Sequence, residues 1–89
     1  MPITYAALAA RLGAEIEIET SAGPRTLRVV EAVANPDGHP GGSLLFTGPE
    51  GEELGQDSYP AQVGDQKDLL FLVPIGPRDG VLTYQAIFG

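Results

Sequence analysis

The chain has 89 residues, of which 43% are apolar, and its 12 acidic side chains against five basic ones give a formal net charge of −7. That balance opposes contact with a phosphate backbone and sets nucleic acid aside as a partner, while the lack of cysteine removes disulfide, thiolate and Cys-metal chemistry. No apolar run approaches the ~20 residues of a membrane helix, and Met1-Pro-Ile-Thr-Tyr5 carries no basic n-region of a signal peptide, so the expectation is one domain over residues 1–89, away from membranes, either cytoplasmic or released as part of a particle.

Twelve glycines and eight prolines point to many turns and short elements. Thr4 reads as an N-cap, and Tyr5-Ala-Ala-Leu-Ala-Ala-Arg-Leu12 predicts a helix over 5–12 that stops at Gly13, with Tyr5, Leu8 and Leu12 on one stripe. So short a helix is marginal by itself and must dock across a sheet or over the end of a barrel. Residues 14–19 alternate strictly, turning Ile16 and Ile18 inward and Glu15, Glu17 and Glu19 outward, which suits a strand near a sheet edge.

A long strand follows over 25–34, with Leu27, Val29 and Val33 on one face and Arg28, Val30 and Ala32 on the other. Glu31 falls on the apolar side, which calls for either a bulge or an open strand end. After the turn-rich segment 35–42, Ser43–Thr47 is a short strand, and the acidic stretch Glu50-Gly-Glu-Glu53 leads to a weak strand ending at Val63, in which Pro60 argues for an edge or an end. The strongest hairpin is the last. Leu69–Val73 is apolar on both alternating faces, as in a strand covered on both sides, and Val81–Phe88 is β-branched and aromatic; Pro77, Asp79 and Gly80 supply a four-residue loop between them. The whole predicts a mainly β fold, a six-stranded antiparallel roll or small barrel with one short N-terminal helix and successive strands as neighbours.

Chemistry-bearing residues are sparse. His39 is the only histidine and sits in a loop without a nucleophile facing it. Glu50, Glu53 and Asp57 are the candidate ligands for a hard cation, although their spacing matches no calcium loop, and the same carboxylates are what a small metal-dependent or carboxylate-based hydrolase would use. Glycines 48, 51 and 55 carry no Lys-Ser/Thr ending of a phosphate loop. Phe46, Phe71 and Phe88 are assigned to the core, while Tyr5, Tyr59 and Tyr84 are expected to keep their hydroxyls at a wet boundary. A small-ligand β-barrel would need a cavity, and so few large side chains favour a filled interior.

The segments Tyr5-Ala-Ala-Leu8, Leu12-Gly13, Ser43-Leu-Leu-Phe-Thr-Gly-Pro49, Leu54-x-Gln56-x-x-Tyr59, Leu70-Phe-Leu-Val-Pro-Ile-Gly-Pro77 and Tyr84-Gln-Ala-Ile-Phe88 together resemble a family of small bacterial and phage domains of unknown function. The resemblance covers nearly the whole chain. It implies an all-β module with no catalytic residue to carry over, serving as an accessory in a phage-tail-like or other particle. Two departures stand out: relatives often have a His-Pro pair after the position of Tyr59, where this chain reads Pro60-Ala-Gln-Val-Gly64, and they tend to have Glu where Gln85 stands.

The functional expectation is a non-enzymatic structural or protein-interaction module without a cofactor, whose partner is another protein or a further copy of the chain. A small chain without disulfides gains by burying a further face. The candidate contact residues are Val81, Thr83, Gln85 and Ile87 on the last strand, together with Tyr59 beside Pro60.

Overall fold

The computed structural model describes residues 2–49 and 51–88. In chain order its elements are helix α1 (Tyr5–Ala9), strands β1 (Glu15–Thr20) and β2 (Gly23–Ala34), a 3-10 turn at Pro36–Gly38, and strands β3 (Gly42–Thr47), β4 (Asp57–Val63), β5 (Gln66–Arg78) and β6 (Val81–Phe88). The six strands close into an antiparallel barrel in the order β1-β2-β3-β6-β5-β4. The mainly β expectation is met in its closed form.

Closure changes three readings of individual strands. β1 is not an edge, since it pairs with β2 along its whole length and with β4 through Glu17–Gln62 and Ile18–Ala61. β4 is not an edge either: Pro60 lies opposite Leu69 of β5, and its missing N–H falls where pairing with β1 stops. β3 and β4 are consecutive but not neighbours. Residues 48–56 are too many for a tight hairpin and carry the chain across one end of the barrel, so that β3 pairs with β6 instead.

Alternation fills the interior with Ile16, Ile18, Leu27, Val29, Leu44, Phe46, Leu70, Leu72 and Tyr84. On β2 a bulge between Val29 and Glu31 inserts one residue and reverses the facing beyond it. Ala32 therefore turns toward the core, and Val33 points outward at 54% exposure, the reverse of the regular alternation. β5 changes partner along its length, lying on β4 up to Leu72 and on β6 from Val73, with an irregularity between Pro74 and Pro77. Its hairpin to β6 is tighter than the four-residue loop expected. Pro77 stays in the ladder opposite Leu82, and Asp79 and Gly80, at φ 54° and 79°, form a two-residue turn of the type whose twist matches the strands.

Helix α1 stands over the barrel end where β2 finishes and β3 begins. Thr4 caps it, its Oγ1 accepting from the Ala7 N–H at 3.1 Å. The helix ends at Ala9 rather than Leu12, because Arg11 and Leu12 donate to carbonyls three residues back, and this tightening leaves Leu12 in solvent. Ile3, just before the cap, takes that place in the stripe and is buried in the same cluster as Leu8, the pairing of a hydrophobic staple. Gly42 permits the docking, for a Cβ there would run into the Tyr5 ring and the Val33 carbonyl.

Candidate functional site

The outer wall formed by β3 and β6 contains no Asp, Glu, Lys or Arg. Register sets its rows: Val33, Ser43 and Ile87 lie side by side, then Glu31, Leu45, Gln85 and Val73, then Thr47 beside Thr83. Ile87 projects furthest, at 73% exposure, with the exposed Val33 in its row, while Val30 and Val81 are exposed toward the other end of the wall. On β5 the outward set Leu69, Phe71 and Val73 continues this surface. Phe71 is 50% exposed rather than in the core, since Leu70 and Leu72 occupy the inward positions and α1, placed at the barrel end, covers nothing here.

Of the contact residues read from the sequence, Val81 and Ile87 stand free and Gln85 is half-buried. Thr83 is not available as expected. It is only 4% exposed, its Oγ1 donates to the Val81 carbonyl at 2.9 Å, and it lies in a hollow of about 290 Å³ lined by Val30, Leu45, Thr47 and Val81 together with the charged Glu31, Arg78 and Asp79. Sequence reasoning misses Val30, Val33 and Leu45 as members of this wall, although one signal is present in the residues, the lack of any charge along both strands.

At the opposite end from α1, residues 48–49 and 51–56 lie over the barrel. Leu54 plugs it, and its N–H donates to the Tyr84 Oη at 2.7 Å. Tyr84 is thus fully buried and not at a wet boundary, because the peptide at Leu54 supplies the partner that its hydroxyl requires. Gly48 leaves room for the same ring, which a Cβ there would strike. Tyr59, the remaining contact candidate, is half-buried and its O–H donates to the Gly55 carbonyl at 2.5 Å, so that two tyrosines hold adjacent residues of one loop. Desolvation raises the Tyr59 pKa above its ordinary value, with the negative charge of Asp57 and the nearby Tyr84 adding to the rise.

Of the candidate cation ligands, Glu53 and Asp57 line one open hollow of about 450 Å³ together with Glu19 and Glu52. Glu50 lies outside the described residues, Glu53 is exposed, and Asp57 opens β4 with its Oδ1 accepting from the Ser58 N–H at 2.8 Å. Glu52 is engaged by Arg25, whose Nε donates to its Oε1 at 2.6 Å. Among the described residues no three His, Asp or Glu side chains converge as metal ligands. His39 is exposed at the end of the 3-10 turn, and among the described residues no helix is long and apolar enough to cross a membrane.

With this arrangement in view, the comparison with known families is informative: the model of a family described as domain of unknown function (DUF6916) matches residues 3–88. The chain belongs to that family. No curated protein and no solved structure gives a match. In this DUF6916 member, segments that are far apart in the chain meet at the loop end of the barrel, where Leu54 and Tyr59 of one stretch join Tyr84 of another. Nothing in residue spacing announces the Leu54–Tyr84 bond, which spans 30 positions.

Proposed function

We propose that this DUF6916 domain is a non-enzymatic protein-interaction module that docks through the outer wall of β3 and β6. The observation that carries the reading is the concentration of exposed large apolar side chains, Ile87, Val81, Val33 and Phe71, on the wall whose two central strands bear no charge. Surfaces of this kind mark contact sites, since isolated exposed apolar residues are ordinary but a contiguous patch is not. An accessory role in a phage-tail-like or other particle is the setting that the sequence resemblance implies.

Rival readings have less behind them. A hydrolase built on Glu53 and Asp57 has both residues on one open hollow, but Asp57 accepts from the Ser58 amide, Glu53 is exposed, and among the described residues no hydrogen bond joins the two. A ligand carrier needs interior room, and the interior holds Phe46 and Tyr84 fully buried, with Leu8 and Leu54 packed into the same core from the two ends.

A photo-crosslinking amino acid placed at position 87 in cells tests the proposal. Irradiation should yield a protein adduct that is absent when the same group replaces Glu17 on the far side of the barrel. Equal yields from the two positions would refute it.

A further inference from the structure

We infer that the occupant of this wall is a second copy of the chain, packed face to face about a two-fold axis that crosses β3 and β6 at the Leu45–Gln85 row. The inference rests on the interaction reading above and narrows it to one partner. Its basis is that the wall carries a knob and a matching hollow on the same strand. Ile87 stands out near the helix end of β6, and the hollow that holds Thr83 lies toward the other end, about 290 Å³ in volume. Ile87 and Thr83 are four residues apart, roughly 13 Å along a strand at ~3.3 Å per residue, with Gln85 midway between them.

A two-fold axis lying in the wall and perpendicular to the strands reverses one β6 on the other. Ile87 of each copy then meets the Thr83 hollow of its mate, the reciprocal pattern that an isologous contact requires. Gln85 meets Gln85 on the axis, where an amide that both donates and accepts is its own complement.

Charge points the same way. The outward glutamates 15, 17 and 19 lie on β1, across the barrel from β3 and β6, and stay apart in this packing of two chains of net charge −7, whereas Glu31, at the β2 end of the axis row, lies on the side of its own copy. The two central strands carry no charge themselves, and the charges that flank them at the hollow, Glu31, Arg78 and Asp79, are of both signs. The contact residues named here are far fewer than the roughly 20–30 a side of a standard interface. Association is therefore concentration-dependent, and salt strengthens it by screening the like charge of the copies.

Sedimentation equilibrium over a dilution series, with wild type, Ile87→Glu and Val81→Lys, tests this geometry. Both substituted positions are exposed, and unchanged circular dichroism and melting confirm folding. Wild type should rise from one-copy toward two-copy mass with concentration and more steeply in added salt, while each variant stays at one copy. An equimolar mixture of the two variants should recover the two-copy mass, because one contact then pairs the introduced carboxylate with the introduced ammonium and the other is native. A wild type that stays at one copy throughout, or an Ile87→Glu variant that dimerises like wild type, overturns the inference. One-copy wild type that still crosslinks from position 87 to a different protein rejects the second copy and leaves the interaction reading standing; the absence of any adduct rejects both.

Discussion

Two opposite walls of the barrel solve different problems. β3 and β6 are paired through six consecutive registered positions, from Gly42–Phe88 to Thr47–Thr83, and their outer surface is uncharged, with Leu45, Val81 and Ile87 set among Ser43, Thr47, Thr83 and Gln85. β1 and β4 meet through two, Glu17–Gln62 and Ile18–Ala61, and the β1 surface beside that seam is lined by glutamates. Where the backbone is fully used, an uncharged exterior can accept side chains but no foreign strand. Where pairing stops at Pro60 and backbone groups are left over, outward carboxylates at every second position discourage a strand from another molecule. Amides of β3 and β6 should accordingly exchange with solvent last, and those flanking Ile18 and Ala61 first.

The largest expected effect breaks the well-zipped wall from within. Phe46 and Tyr84 are registered neighbours, both wholly buried. Phe46→Ala should lower the unfolding free energy by about 3–5 kcal/mol, read from chemical denaturation. For Val63→Ala, beside the seam, fewer buried atoms are removed and a smaller loss is expected. Equal losses would mean that the two walls contribute alike.

Next in size is the bond that holds the loop end shut. Tyr84→Phe keeps the ring and removes only the acceptor of the buried Leu54 N–H, for a loss of about 1–3 kcal/mol and faster exchange at Leu54. If exchange there is unchanged, residues 48–56 are held by packing alone.

Tyr59 gives the same loop a dependence on pH. Its folded pKa lies above the ordinary 10.0, so burial and Asp57 favour the neutral phenol. Folded and unfolded states are both protonated below pH 10, and stability is level there. As pH rises past 10 the unfolded chain ionises first, and stability falls until the folded pKa is also passed. Melting temperature should be flat through neutral pH and decline above 10, and Tyr59→Phe should lessen the decline.

Much of this architecture is legible in the residues, and the failures share a cause. Alternation places Ile16, Ile18, Leu44 and Phe46 correctly because each faces a polar or plainly outward neighbour on at least part of its strand. It cannot orient Leu69–Val73, where both alternating sets are apolar, and so it puts Phe71 on the wrong side. Glu31 on an apolar face signals the β2 bulge, but not the reversal that turns Val33 outward. Pairing of β3 with β6, and of Leu54 with Tyr84, is decided by closure of the whole barrel, to which local spacing is blind. Within the candidate contact set the same limit applies: Val81 and Ile87 are readable from β6 alone, whereas the burial of Thr83 depends on residues contributed by β2 and β3.

The smallest effect on stability should come from the acidic wall, and it separates two meanings of the seam. Glu17 and Glu19 are exposed and take part in no side-chain hydrogen bond or ion pair among the described residues. Replacing both by valine should shift the unfolding free energy by no more than about 0.5 kcal/mol, since exposed positions on a strand surface contribute little. If those carboxylates serve only as solvated surface, the variant should stay as dispersed as wild type when concentrated. If they guard the short seam between β1 and β4, the variant, unchanged in melting temperature, should form strand-rich aggregates at concentrations where wild type does not. Seeding that aggregation with Ile87→Glu protein, which keeps the acidic wall intact, should fail, and success would place the sticky edge elsewhere on the barrel.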